Sequence, residues 1–397
     1  SRSASPSNSQ HWVPARSDEV GVVVHEPGET WGDYTFYTSF DAPVAYLIDM
    51  DGEVVHEWRL PYSEAFPEPE HVDDPVPDAN IRFVGSHLYP NGDLLVSYKA
   101  EGDTPYGYGM VRMDRHSEVV WRYPGHTHHD VDVADDGTIH VLAHGWRDLE
   151  ERPLEGVDLA PTRVLDDFVV RLSADGTEEA RWSLMEAVAD SPMAHTLKSW
   201  HRTGLTWDRL HANAVDLLDA DFADHHDFAE PGDILVSFRS LNAIGLLDPQ
   251  AGAVTWMSRG PWLEQHDPDP LPGGHMLVFD NQGHPGPGGS SRVLEVDPSD
   301  GRVVWQFAGI AEEPFESPWR GMQERLPGGN TLVVESVGGR LLEVTPAGRV
   351  VWSYRNPALA EERGQTWVPH IPGPVQRVTR SWLRFDVDGG RKVEGLQ

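Results

Sequence analysis

Cysteine is missing from all 397 residues, which excludes disulfides, thiolate catalysis and cysteine-ligated zinc or iron–sulfur centres together. Lysine is almost missing too: Lys99, Lys198 and Lys392 are the only three among 31 basic residues, set against 64 acidic ones for a net charge of -33. Such an excess of negative charge repels phosphate backbones and anionic lipid surfaces, so neither nucleic acid nor a membrane is expected as a partner. The arginine bias and the Asp-rich loops are usual in halophilic or GC-rich organisms, and the charge is read as habitat more than mechanism. No apolar run reaches the length of about 18 residues that a membrane span needs, and Ser1 to Gln10 has no hydrophobic signal core. A protein that is cytoplasmic, or secreted with its leader removed, is expected.

Repetition is what the chain has in abundance. Six segments end on a Val-Val-Trp-like strand: Leu47 to Trp58, Val111 to Trp121, Val170 to Trp182, Leu246 to Trp256, Leu294 to Trp305 and Leu342 to Trp352. Five of the six carry a Gly in the turn, Val111 to Trp121 having Asp114 to Ser117 there instead, between flanks of alternating apolar and polar residues, the pattern of a half-buried antiparallel hairpin. A second hairpin precedes most of them, as in Tyr89 to Val96, Ala134 to Val141, Glu230 to Val236, Leu271 to Val278 and Leu326 to Val333. Two hairpins make four strands, and six such repeats predict an all-β fold, a six-bladed β-propeller of four-stranded antiparallel blades. The N-terminal repeat lacks its first strand, and apolar segments within Trp367 to Val387 are expected to supply it, closing the ring by pairing of N- and C-terminal segments. Residues 1–30 are expected to be an N-terminal extension and 31–397 the propeller, with insertions at about 143–165, 185–210 and 219–230. Long loops of this kind gather over one end of a propeller and form a lid or binding wall.

Equivalent positions in the repeats fall on the innermost strands. Counting back eight residues from the turn glycines Gly92, Gly137, Gly274 and Gly329 gives Val84, His129, His266 and Gly321, and the strand starting His211-Ala-Asn-Ala-Val matches the same pattern. Counting forward seven from Gly92, Gly137, Gly232, Gly274 and Gly329 gives Lys99, His144, Arg239, Asn281 and Ser336. A polar ring where a core strand should end apolar suggests a site for an anion or polar ligand. A lone histidine beside an aspartate is more often structural, but three in one ring are not. His225 and His226, in an acidic insertion, are read as solvated loop; His87, His116, His140 and His275 as structural; the tryptophans as packing between blades.

The ordered series His129-Asp130, His211-Ala-Asn213, Ser237-Phe-Arg239-Ser240 and Gln265-His266, together with Tyr46 to His56 near the start, resembles the bacterial arylsulfate sulfotransferases over roughly residues 33 to 356. The resemblance implies nucleotide-independent transfer of a sulfuryl group from an aryl sulfate donor to a phenolic acceptor through a sulfohistidine. It puts the nucleophile at His266, with His129, His211 and Arg239 around the sulfuryl group and Asn213 beside them. His144, Asn281, Lys99 and Gln323 are further candidates for contacts to substrate. Residues 1–30 are too few for the family's separate N-terminal sandwich domain, its cysteine pair is absent from this sequence, and Gly321 and Gln323 stand where another catalytic group would be sought.

The residue types suit that chemistry on their own terms. Neutral imidazole is a nucleophile that can leave again, a guanidinium can grip two sulfuryl oxygens, and a second imidazole can pass a proton to and from phenols. No cofactor is expected on this reading. The rival enzyme reading is a metal-dependent oxygenase, oxidase, hydratase or lyase with iron, copper, manganese or zinc held by His129, His211, His266 and His144. Arg239 beside a divalent cation and the lack of an aligned carboxylate weigh against it. A non-catalytic scaffold comes third, because the unusual residues concentrate on the axis rather than the rim.

Overall fold

The computed structural model describes residues 6–100, 106–157, 159, 162–198 and 206–387. They form two units, residues 1–125 with 315–397, and residues 126–314.

In the first unit, Tyr34–Ser39, Val44–Asp49 and Val54–Arg59 make an antiparallel meander. Its missing inner strand is Gln376–Val378, which pairs with Tyr34–Ser39 in the register Gln376↔Phe36, Arg377↔Thr35 and Val378↔Tyr34. The C-terminal segment thus completes the first sheet, as the repeat requires. The second sheet is Arg82–Leu88, Leu94–Lys99, Gly107–Met113 and Val119–Tyr123. The sixth is Met322–Arg325, Thr331–Glu335, Arg340–Val344 and Val350–Arg355.

Two strands of this unit are absent from the sequence-based expectation. Gly21–His25 pairs with the outer strand Val350–Arg355 and makes the sixth sheet five-stranded, and Trp12–Pro14 joins Gln365–Pro369 and Ala360–Glu362 in a small seventh sheet. Residues of the presumed extension are therefore built into sheets. Val22, Val23 and Val24 are β-branched and suit a pleated surface, and covering an edge strand satisfies backbone groups that would otherwise be free to pair with another chain.

The second unit holds the third sheet (Thr127–Val133, Ile139–Asp148, Arg163–Leu172, Glu178–Ser183), the fourth (Ala212–Leu217, Ile234–Phe238, Ala243–Asp248, Ala253–Ser258) and the fifth (His266–Pro270, Met276–Asp280, Arg292–Asp297, Arg302–Ala308). Every pairing inside them is antiparallel. The insertion from 143 opens as a continuation of strands, which run to Asp148 and resume at Arg163. The next begins as a helix, Leu184–Ala189, whose N-cap Ser183 accepts a hydrogen bond from the Glu186 amide at 3.0 Å. Leu184, Met185, Ala187 and Val188 of this helix are buried with Val169, Val215 and Val236 of the neighbouring sheets, so this stretch is core rather than lid. Residues 199–205 of the same insertion lie outside the described residues. Within 219–230 a single turn of helix, Ala220–Ala223, forms. His226 there is buried rather than solvated, with its Nε2 2.7 Å from the Gly274 carbonyl oxygen and its ring stacked on Phe228.

The core lies in layers between successive sheets. Phe36, Leu47 and Trp58 of the first sheet pack with Phe83, Val96 and Val111 of the second, and Leu246 of the fourth with Met276, Val278 and Leu294 of the fifth. The repeat tryptophans latch these layers. Trp58 Nε1 donates to the Gly92 carbonyl, Trp352 Nε1 to the Met50 carbonyl and Trp182 Nε1 to the Pro249 carbonyl, at 2.9, 2.9 and 3.0 Å. Trp58 and Trp352 are buried and Trp182 half-buried, and each spends its one donor on the turn of an adjacent sheet.

Candidate active site

The second unit brings together His129, His211, His266, Arg239, Asn213, Asn281 and His144. Irregular backbone does this. Pairing between the first and second strands of the third, fourth and fifth sheets slips between Thr127 and Val131, Ala212 and Ala214, and His266 and Asp269. Such bulges re-aim the side chains beside them. His129, His211, Asn242, Glu264 and Asp267 have φ of 55°, 47°, 50°, 53° and 51°, a left-handed conformation that costs energy for residues other than glycine and is kept where surrounding structure enforces it.

His266 is buried, and its Nδ1 lies 2.8 Å from Asn281 Oδ1 and 3.2 Å from the Glu264 carbonyl oxygen. A carbonyl oxygen only accepts, so Nδ1 carries the proton and the lone pair of the neutral ring is on Nε2. Burial, then the Arg239 charge, then His211 hold the imidazole down to about 3, against the opposing pull of its hydrogen bonds to Asn281 and Glu264, so the ring is neutral at physiological pH. Gln265, the other half of the Gln-His pair, is fully buried and donates to Ser237 Oγ (3.0 Å) and the Ala243 carbonyl (2.8 Å), tying the fifth sheet to the fourth. Asn213 donates to the Gln265 carbonyl at 2.8 Å. Asn281 and Asn213 thus both fix His266, one through its ring and one through its strand.

His211 Nδ1 is 2.5 Å from Asp208 Oδ2. The acceptor is a carboxylate, so this ring too keeps its proton on Nδ1 and its lone pair on Nε2. The His211 and His129 rings meet edge to face, centroids 5.1 Å apart. His129 Nδ1 is 2.7 Å from His128 Nδ1, and His128 Nε2 is 3.4 Å from Asp167 Oδ1. A proton on His128 Nε2, facing the carboxylate, leaves its Nδ1 to accept from His129 and again puts the lone pair on Nε2. Asp167 is itself fixed, since its Oδ2 accepts from the Ala212 amide at 2.8 Å.

Arg239 begins a 3₁₀ turn, Arg239–Leu241, that ends on left-handed Asn242. Its Nη2 donates to Glu264 Oε2 at 2.6 Å, and Gln282 Nε2 donates to the same oxygen at 2.9 Å. Arg239 Nε is buried without a partner, a donor left for a ligand. His144 stacks on His126, centroids 5.4 Å apart, and packs against His128 at 5.3 Å, which places it behind the His128 relay. Lys99 and Gln323 belong to the other unit.

Four residues that the sequence reading passed over belong to this constellation: Asp208, Asp167, His128 and Glu264. Only Asp208 left a signal, the spacing Asp208-Arg-Leu-His211. Among the described residues no group of three or more His, Asp or Glu side chains is placed to hold a metal ion. No helix among the described residues is long and apolar enough to cross a membrane.

All-β sheets in this order, with anchored imidazoles and a held guanidinium at the bulged inner strands, define an enzyme-like site on a propeller-like fold. The chain belongs to the arylsulfotransferase (ASST) family, whose sequence model matches residues 86–357. Membership implies a transferase with aryl sulfate and phenol substrates. No curated protein matches the sequence. Among solved structures, a protein of unknown function from Bacteroides caccae is similar in fold, with a TM-score of 0.53, 13% identity and coverage of 86% of this chain and 99% of that one. Virginiamycin B lyase from Staphylococcus aureus is more distant, at TM-score 0.44, 11% identity and 87% coverage of each chain, and bears on neither fold nor activity.

Proposed function

We propose that this protein transfers a sulfuryl group from an aryl sulfate to a phenolic acceptor through a sulfohistidine at His266, without a nucleotide donor or a metal. The observation that carries the reading is the pair of carbonyl acceptors at His266 Nδ1, Asn281 Oδ1 at 2.8 Å and the Glu264 carbonyl at 3.2 Å.

In the first half-reaction the His266 Nε2 lone pair attacks sulfur. The N–S bond forms, the S–O(aryl) bond breaks, and its electron pair goes to the phenolate oxygen, which takes the Nε2 proton of His211 or His129 in its imidazolium form and leaves as phenol, returning that ring to the neutral state with its lone pair on Nε2. The sulfated ring is an imidazolium whose Nδ1–H already faces two carbonyl oxygens, so the charge that develops on it meets fixed dipoles. In the second half-reaction the neutral imidazole removes the acceptor's proton, the phenolic oxygen attacks sulfur, and the N–S pair returns to Nε2. Arg239, steered by Glu264, offers Nε–H to the sulfuryl oxygens. Asp208 faces the His211 imidazolium in each proton transfer, as the acid partner of a histidine general base does. Asn213 and Asn281 act as positioning residues, and His144 supports His128.

The test is intact mass after incubation with excess 4-nitrophenyl sulfate and no acceptor. One sulfuryl group should be added to the wild-type chain and none to His266→Ala, and a phenol added afterwards should remove it. Addition at another residue would move the nucleophile, and no addition with any aryl sulfate would reject the reading.

A further inference from the structure

The first unit holds a concentration of positive charge that the proposed transfer at His266 does not use. His370 is fully buried and its Nδ1 lies 2.7 Å from Arg320 Nη1. A guanidinium only donates, so His370 Nδ1 is the acceptor and the proton of the neutral ring sits on Nε2. That Nε2 is buried and has no partner. A second buried imidazole, His11, is tied to it through backbone, the His370 amide donating to the His11 carbonyl at 3.0 Å, and its Nε2 also lacks a partner. Phe40 joins them: its ring meets His11 edge to face with centroids 4.7 Å apart, and the Arg320 guanidinium lies 4.8 Å above its centroid. Ser336, whose carbonyl accepts from the Ile371 amide next to His370, has a buried hydroxyl without a partner.

Charge agrees with this geometry. The charges of Arg320 and Lys99 act with burial on both imidazoles, and that of Arg82 on His11 as well, pushing both rings far toward the neutral form. Lys99 and Arg82 are 7% and 5% exposed. Asp41 acts on Arg82, and its own carboxyl is pushed up by burial. Arg320 is held at φ 60°, in the left-handed region, so the guanidinium is placed at a cost in backbone energy. A chain with a net charge of -33 has no general electrostatic need for two buried cations, Lys99 and Arg82, near a half-buried third, Arg320, and the buried donors His370 Nε2 and Ser336 Oγ, which lack acceptors, are expensive unless a ligand completes them.

We propose that Lys99, Arg320, His370 Nε2–H and the Ser336 hydroxyl form a second binding site, specific for an oxyanion, that takes a sulfate ion or the carboxylate of a small organic acid. Arg320 and Lys99 supply charge, while His370 and Ser336 supply donors fixed in direction. The site is made entirely within the first unit and does not depend on sulfuryl transfer at His266.

Equilibrium dialysis with radiolabelled sulfate, and calorimetry with benzoate, both at constant ionic strength in chloride, would test it on the full chain. The Arg239→Ala variant, in which the other anion-binding residue is gone, should still bind one oxyanion per chain. Adding Lys99→Met or Arg320→Lys to that variant should weaken binding tenfold or more, with an unchanged circular dichroism spectrum. Saturation by sulfate with no heat from benzoate would mark the free ion as the ligand, and the converse the organic acid. Loss of all binding in Arg239→Ala alone, or undiminished binding in both double variants, would overturn the proposal. If Lys99→Met does not fold, Arg320→Lys, which keeps the charge and loses the fork, decides.

Discussion

Asn281 Oδ1 lies 2.8 Å from Nδ1 of His266, and this contact orders the chemistry of the site. It comes from the end of the neighbouring strand in the same sheet and sets which nitrogen of the ring holds the proton. Asn281→Ala leaves the Glu264 carbonyl alone to hold the ring, at its longer 3.2 Å. Pre-steady-state sulfation by 4-nitrophenyl sulfate should slow on the order of 10²-fold, comparable with other positioned proton-holding contacts. Sulfation at the wild-type rate would remove Asn281 from the mechanism.

Arg239→Ala should retain the fold and lower transfer by about 10² to 10³, the range for losing one donor to a developing oxyanion. Arg239→Lys should recover little, because a lysine cannot present the same fork while contacting Glu264. Steady-state kinetics beside circular dichroism checks both variants.

The Asp208–His211 pair gives a prediction that depends on the leaving group. An activated phenolate such as nitrophenolate departs with little help, whereas a basic phenolate needs a proton. Replacing Asp208 by Asn, or His211 by Ala, should therefore steepen the dependence of the first-step rate on phenol acidity. Equal losses across a series of aryl sulfates would show that neither residue handles the proton.

Asp130 offers a test in stability. Burial and the neighbouring Asp132 push its carboxyl up to about 6, although its Oδ2 accepts from the Val215 amide at 3.0 Å. A carboxyl raised in the fold binds more protons folded than unfolded, so its contribution falls as pH rises from about 4 to about 6 and stays low above. In Asp130→Asn, which keeps an acceptor for Val215, the melting temperature relative to wild type should rise across that window and level off beyond it. His266, pushed down to about 3, works in the opposite sense: stability is lost as pH falls from about 6.5 toward 3, because the unfolded imidazole takes up a proton that the buried one refuses. A His266→Asn chain should lose less stability than wild type over that range in thermal melts.

Metal analysis separates the two enzyme classes. Imidazoles that attack sulfur and carry protons cannot also be saturated by a transition metal, so purified protein should contain far less than one iron, copper, manganese or zinc per chain, and chelators should leave transfer between phenols unchanged. About one metal per chain, lost on replacing His129, His211 or His266, would favour the metalloenzyme.

The hairpin repeats, the strand borrowed from the C-terminus and the candidates His129, His211, Arg239 and His266 were all legible in the sequence, because side-chain alternation and turn glycines are local and recur at fixed spacing. The strands at Trp12–Pro14 and Gly21–His25 were not, since an edge strand outside the repeat has no copy to be compared with. Nor was the burial of His226, whose partners Gly274 and Ser299 come from another sheet. Asp208 and Glu264 had no repeat to mark them, and equal spacing from the turn glycines did not show that Asn281 would hold the His266 ring. Those relations depend on bulges that shift strand pairing beside each histidine and on left-handed backbone at His129, His211 and Glu264. Which residues are present is written along the chain, but which nitrogen of each ring carries its proton was decided by tertiary structure, because a hydrogen bond exists only where packing brings donor and acceptor within about 3 Å.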